Sequence, residues 1–141
     1  MRAARFGAGA AVWSMMLVLA AASPADLGVA TAAGKTCAPR LQSYFASDFK
    51  DAAYQQKTFQ KVASAWKRPS ASPAAGAKAV VIATIASDGS IAPPVLHLKS
   101  GSDAWDAAAL AAVKSAAPFD PLPKSYPHPS VEVHFHFECA G

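Results

Sequence analysis

The sequence predicts an α+β fold, a two-layer sandwich in which a three-stranded antiparallel sheet carries helices on one face. Three observations carry this expectation. The stretch Val131 to Glu138 alternates without fault, with Val131, Val133, Phe135 and Phe137 on one face and Glu132, His134, His136 and Glu138 on the other. A strand with one apolar and one polar face belongs to a sheet covered on a single side. Upstream, a Val/Ile-rich run ends in Asp88-Gly89, a hairpin signal, and Ser102 or Asp103 opens an Ala-rich helical pattern.

The 141 residues suffice for one domain of ordinary size. At the start, Arg2 and Arg5 precede an apolar run from Phe6 to Ala22 broken only by Ser14, followed by small residues. This is the layout of a secretory signal peptide, expected over residues 1–32, with cuts plausible after Ala22, Ala25 or Ala32. The competing reading is an uncleaved inner-membrane anchor through residues 6–22, because the run is at the lower limit for spanning a bilayer. Either reading exports the remainder to the periplasm. Membrane contact is expected only if the segment stays uncleaved.

From Arg40 to Trp66 apolar residues fall at helical spacing: Leu41, Tyr44, Phe45, Phe49 and Ala52, then Phe59, Val62, Ala63 and Trp66, with no Pro or Gly between them. The expectation is a helical extension over residues 33–58 leading into a domain over 59–141. Lys67 to Ala79 contains Pro69, Pro73 and Gly76 and no apolar periodicity, which makes it a loop. Ala79 to Ser87 reads as a strand, Asp88-Gly89 as a two-residue turn, and Ser90 or Ile91 as the start of the returning strand. Pro93 and Pro94 cannot donate to a ladder, so this strand needs an edge or a bulge there.

The second helix is expected from about Ala104 to Ala116, with Trp105, Ala109, Ala112, Val113 and Ala116 as its buried stripe. Pro118 stops it. The exit Pro118-Phe119-Asp120-Pro121-Leu122-Pro123 is stiff and extended, with Phe119 and Leu122 as anchors.

Charge and cysteine usage narrow the partners. The formal charge of +4 comes from scattered lysines and arginines without a block of like sign, so no nucleic-acid partner is expected. Cys37 and Cys139 flank almost the whole exported region, and an even count in an oxidising compartment favours their pairing. Such a bond closes a loop of about 100 residues, worth up to about 4.7 kcal/mol in the chain-entropy model. Metal ligation and a catalytic thiol are the alternatives.

A spaced set runs through the chain: Phe59, Val62 and Trp66; Asp88-Gly89-Ser90; Ser100-Gly101 with Trp105-Asp106, Ala109-Leu110 and Val113; Ala117-Pro118-Phe119 with Pro121-Leu122-Pro123; and Val133, Phe135 and Phe137. In this ordered set the sequence resembles the C-terminal domain shared by TonB and TolA type envelope proteins. The resemblance covers roughly residues 55–138. It implies a helix, a hairpin, a second helix and a third strand, with an envelope protein or extended peptide captured at the sheet edge by strand addition. If the third strand lies beside the first, the open edge is Val131, Glu132, Val133, His134, Phe135, His136 and Phe137, continuing to Glu138. The apolar leader has no His, and no long Pro-rich or Lys-rich spacer follows it, so binding is expected rather than force transmission.

The sharpest chemical feature is His134-x-His136, two imidazoles on one strand face beside Glu132 and Glu138. A small metal site there is the alternative to a solvated strand face. His97 is isolated, and no G-x-S-x-G elbow, phosphate-cradling glycine pattern or paired carboxylates in an apolar setting occur. Neither an enzyme nor a cofactor is expected.

Overall fold

The structure is a computed structural model that describes residues 37–141. The expected signal peptide or anchor over residues 1–32 lies outside the described residues. In chain order the elements are strand β1 (Ala38–Phe45), helix α1 (Ala52–Ala65), strands β2 (Lys78–Ala86) and β3 (Val95–Leu98), helix α2 (Asp103–Ala116) and strand β4 (Ser130–Ala140). The expected α+β sandwich is present, with one strand more than expected: the sheet is four-stranded, in the order β1-β4-β2-β3, and every pairing is antiparallel.

The extra strand is β1. Residues 38–45 satisfy a helical spacing through Leu41, Tyr44 and Phe45, but they also alternate, and the register sets Leu41 against Phe137, Ser43 against Phe135 and Phe45 against Val133. Pairing of the whole of β1 with Val133 to Ala140 of β4 outweighs the local pattern. Of the helical extension expected over 33–58, the described part, residues 37–58, is corrected to a strand, a short loop and the start of α1, and the boundary expected at residue 59 falls inside α1.

Helix α1 begins where Asp51, in extended backbone, accepts the Tyr54 N–H at 2.9 Å. Its buried residues are Tyr54, Thr58 and Val62, four apart, and they face the sheet. Phe59 is only half-buried and Ala63 is exposed, so the inward stripe lies to one side of the expected one. Helix α2 starts one residue earlier than expected, capped by the Ser102 hydroxyl on the Trp105 N–H. Its stripe is Trp105, Asp106, Ala109, Ala112 and Val113.

The core lies between the two helices and the sheet. It gathers Val81, Ala83 and Ile85 from β2, Val131, Val133, Phe135 and Phe137 from β4, and Trp105 and Val113 from α2, with Val62 from α1. Trp66 stands edge-on to both Trp105 and Phe137, at 5.3 and 5.0 Å between ring centroids. Asp106 is buried with its carboxylate accepting the Ser100 N–H and hydroxyl at 2.9 and 2.7 Å, which fixes the entry to α2.

The hairpin turn differs in detail from the expectation. Ala86 N–H bonds the Ser90 carbonyl and Gly89 N–H bonds the Ala86 carbonyl, so Ser87, Asp88 and Gly89 form a three-residue loop in place of a two-residue one. Gly89, at φ +91°, supplies the left-handed residue that such loops need. Its carbonyl accepts the Phe119 N–H and the Ser87 carbonyl accepts the Leu122 N–H, so the exit segment is laced to the hairpin. Phe119 and Leu122 are buried, as their anchoring role requires.

Candidate functional site

The position of β4 decides which edges are open. β4 lies between β1 and β2 and is paired on both sides, so the edge expected at Val131, Glu132, Val133, His134, Phe135, His136 and Phe137 is occupied. The correction follows from β1, whose helical reading hid the strand that fills that place. Among the described residues the free edges of the sheet are β1 and β3.

The two edges are unequal templates. β3 has four residues, meets β2 through a register shift between Val80 and Val81, and follows Pro93 and Pro94. β1 has eight residues and pairs with β4 without interruption. Its hydrogen-bond parity is set by Ala46, whose N–H donates to the Glu132 carbonyl at 3.2 Å. Antiparallel alternation then turns Arg40, Gln42 and Tyr44 toward β4 and leaves the backbone groups of Leu41, Ser43 and Phe45 pointing out of the sheet. Pro39 occupies the next outward position, where a missing N–H breaks no ladder bond.

β1 is held at its two ends by different means. Near its start, Cys37 forms a disulfide with Cys139, Cα atoms 5.0 Å apart. On the opposite face the Arg40 guanidinium donates through Nε and Nη2 to Glu138 Oε2, at 2.9 and 2.7 Å. At its end Phe45 stacks on Phe49 at 5.0 Å, and Phe49 meets Tyr54 and Tyr126 edge-on. The Tyr54 hydroxyl donates to the Asp120 carbonyl at 2.7 Å, and burial together with the nearby Asp120 carboxylate pushes this phenol up to about 12.

The outer sheet face holds the histidines. His134 Nε2 lies 2.6 Å from Glu132 Oε1, and the His136 ring leans on Tyr44 at 4.7 Å between centroids. Burial, then the Lys78 ammonium and His134, hold the His136 imidazole below its usual value. His134 and His136 do share a face, as alternation requires, and His97 approaches His134 with ring centroids 6.3 Å apart. Among the described residues no group of three or more His, Cys, Asp or Glu side chains is placed to hold a metal ion.

A groove of about 570 Å³ runs beside both helices, lined by Lys57, Gln60, Lys61, Ser64, Ser115 and Asp120. Asp120 sits 3.0 Å from Lys57 and 3.7 Å from Lys61, and the Lys57 hydrogen bond holds its carboxyl below the usual range. This groove pairs opposite charges and brings no base to a nucleophile.

Sequence reasoning missed Leu41, Ser43 and Phe45 as edge residues and Arg40 as a clamp. Two signals point to them: Asp51 as the N-cap of a helix that starts at Ala52, and Pro39 at the head of an alternating run.

No curated protein and no solved structure matches the chain. Among the described residues no helix is long and apolar enough to cross a membrane. The model of the TonB C-terminal family matches residues 51–137, from the N-cap of α1 to the Phe135 and Phe137 strand. Domains of this type are in general non-enzymatic, belong to the cell envelope and interact with other proteins. With more than half of its length matched, and with the helix, hairpin, helix and strand of that domain in order, the chain belongs to the TonB C-terminal family.

Proposed function

We propose that this chain is an exported envelope module of the periplasm that captures an extended segment of another envelope protein by strand addition, and that the accepting edge is β1. The observation that carries this reading is the unbroken edge strand whose Leu41, Ser43 and Phe45 backbone groups point away from the sheet. An added strand satisfies those groups, so main-chain hydrogen bonds supply affinity, and side chains on alternate positions supply choice. Leu41 and Phe45, both half-buried, flank the seat on the helix side, and Arg40 and Tyr44 flank it on the outer face. Binding is the activity assigned, and force transmission is not part of it.

The test is Ser43→Pro. The Ser43 N–H points outward, so proline there leaves the β4 ladder whole while removing a donor from the free edge. Capture of a partner from envelope extract is expected to disappear in this variant while the urea midpoint holds. Undiminished capture would remove β1 as the accepting edge.

A further inference from the structure

We propose that β1 is itself a strand docked in cis on β4, that the Cys37–Cys139 disulfide is its latch, and that reduction uncovers β4 as a second edge. That edge would receive an extended segment of another chain with alternating apolar residues and a basic residue near its start. The proposal rests on the reading that this sheet accepts added strands, and not on β1 being the edge that does so.

Three observations lead here. The family match begins at residue 51, after β1, so among the matched residues it is β4 that ends the sheet. β1 covers that end. Next, none of the eight residues of β1 is fully buried, whereas alternate residues of β4 are, so β1 lies on the core without being part of its centre. Finally, the anchoring is lopsided. The trailing end is fixed by the Phe45–Phe49 stack and by Ala46 on Glu132, while the leading end has the disulfide and the Arg40–Glu138 pair, whose arginine is more than half exposed. An exposed ion pair is a weak clamp by itself. Once the covalent bond is broken, β1 is free to peel from Cys37 toward a hinge at Phe45.

The ligand chemistry follows from what β1 supplies. A replacement strand must pair with the backbone of Glu132, His134, His136 and Glu138, the positions that β1 now satisfies. It needs apolar side chains where Leu41 and Phe45 now lie, beside Phe137 and Val133, and a cation where Arg40 meets Glu138. The redox step needs a dithiol reductant. One of its thiolates attacks the Cys37 sulfur, Cys139 leaves as a thiolate and takes up a proton, and the second reductant thiol displaces Cys37 as a thiol. The chain gains two thiols and the reductant becomes a disulfide.

The experiment titrates a labelled synthetic octapeptide with the sequence of Ala38–Phe45 into the full chain, oxidised and after reduction. The tethered strand competes at a local concentration on the order of millimolar, so the peptide is carried into that range. Peptide binding at least tenfold stronger in the reduced chain is expected, with faster amide exchange at Arg40 and Gln42 and unchanged exchange in α2. Cys37→Ser should behave as the reduced chain without reductant, and a peptide with Leu41→Asp and Phe45→Asp should not bind. Equal binding in both states, or none in a reduced chain that keeps its tryptophan near-ultraviolet signal, overturns the proposal. Loss of that signal on reduction also overturns it, because the bond would then hold the whole domain and not one strand. An oxidised chain that still captures its envelope partner while the reduced chain takes no peptide loses this proposal and keeps the reading of β1 as a docking edge.

Discussion

Trp105 donates its indole N–H to the Phe137 carbonyl at 2.9 Å, a bond made inside the core between α2 and the central strand β4. Both residues are fully buried, and Trp66 closes over the pair edge-on. The layer of helices is thus fastened to the sheet by a polar contact that water does not reach.

Trp105→Phe removes that donor and leaves a gap beside Trp66. A loss of about 2 kcal/mol is expected from the hydrogen bond and the unfilled volume together. Urea unfolding should show a lower midpoint at an unchanged slope.

Asp106→Ala strands the Ser100 N–H, which now ends on the buried carboxylate, and leaves the Ser100 hydroxyl only its 3.3 Å bond to the Ser102 carbonyl. The expected cost is about 2 kcal/mol, since a buried donor without a partner loses its hydration and gains nothing. Thermal unfolding of the variant beside the wild type measures it.

Gly89→Ala meets two obstacles. The residue sits at φ +91°, and a Cβ there would run into the Phe119 carbonyl oxygen. Left-handed backbone alone costs an L-residue about 1–2 kcal/mol, so the total should exceed that. Gly101→Ala, at φ +93° with open space around the new methyl, is the control that isolates the backbone part by the same unfolding measurement.

Acid should weaken the fold through His136. Burial comes first, followed by Lys78 and His134, and together they outweigh Glu138, so the folded imidazole binds its proton less readily than the ordinary value of 6.5 implies. Between that lowered value and 6.5 the unfolded chain holds more protons than the folded one, so stability rises with pH across the window and falls as acid is added. His136→Gln should flatten the slope. Urea midpoints collected from about pH 5 to about pH 7.5 provide the comparison.

Much of this architecture was legible residue by residue. The alternation of Val131 to Glu138 fixes the faces of β4, the Ser102 cap and the Trp105, Ala109, Ala112 and Val113 stripe fix α2, and Phe119 and Leu122 are buried where a stiff exit must be anchored. What escaped was β1. Leu41, Tyr44 and Phe45 fit a helical period as well as a strand, and Ser43 at an inward position weakens the alternation. Local pattern does not separate the two, because the deciding energy comes from pairing with β4, about a hundred residues away in sequence. The error then spread to the site. Without β1 the last strand reads as an edge; with β1 in place it is interior, and the exposed backbone moves to Leu41, Ser43 and Phe45.

The place of β4 also sets a clock. It follows both of its sheet neighbours in the chain, so neither the β1 ladder nor the long β2 ladder can close until residues 130–140 have been synthesised. Helices and hairpin are local and form quickly, but the sheet waits for contacts of large sequence separation. A nascent chain that has passed Leu98 but not Ser130 therefore carries β1 without its partner and β2 with only β3 beside it. During that interval the same backbone that later receives β4 is open to any other strand within reach.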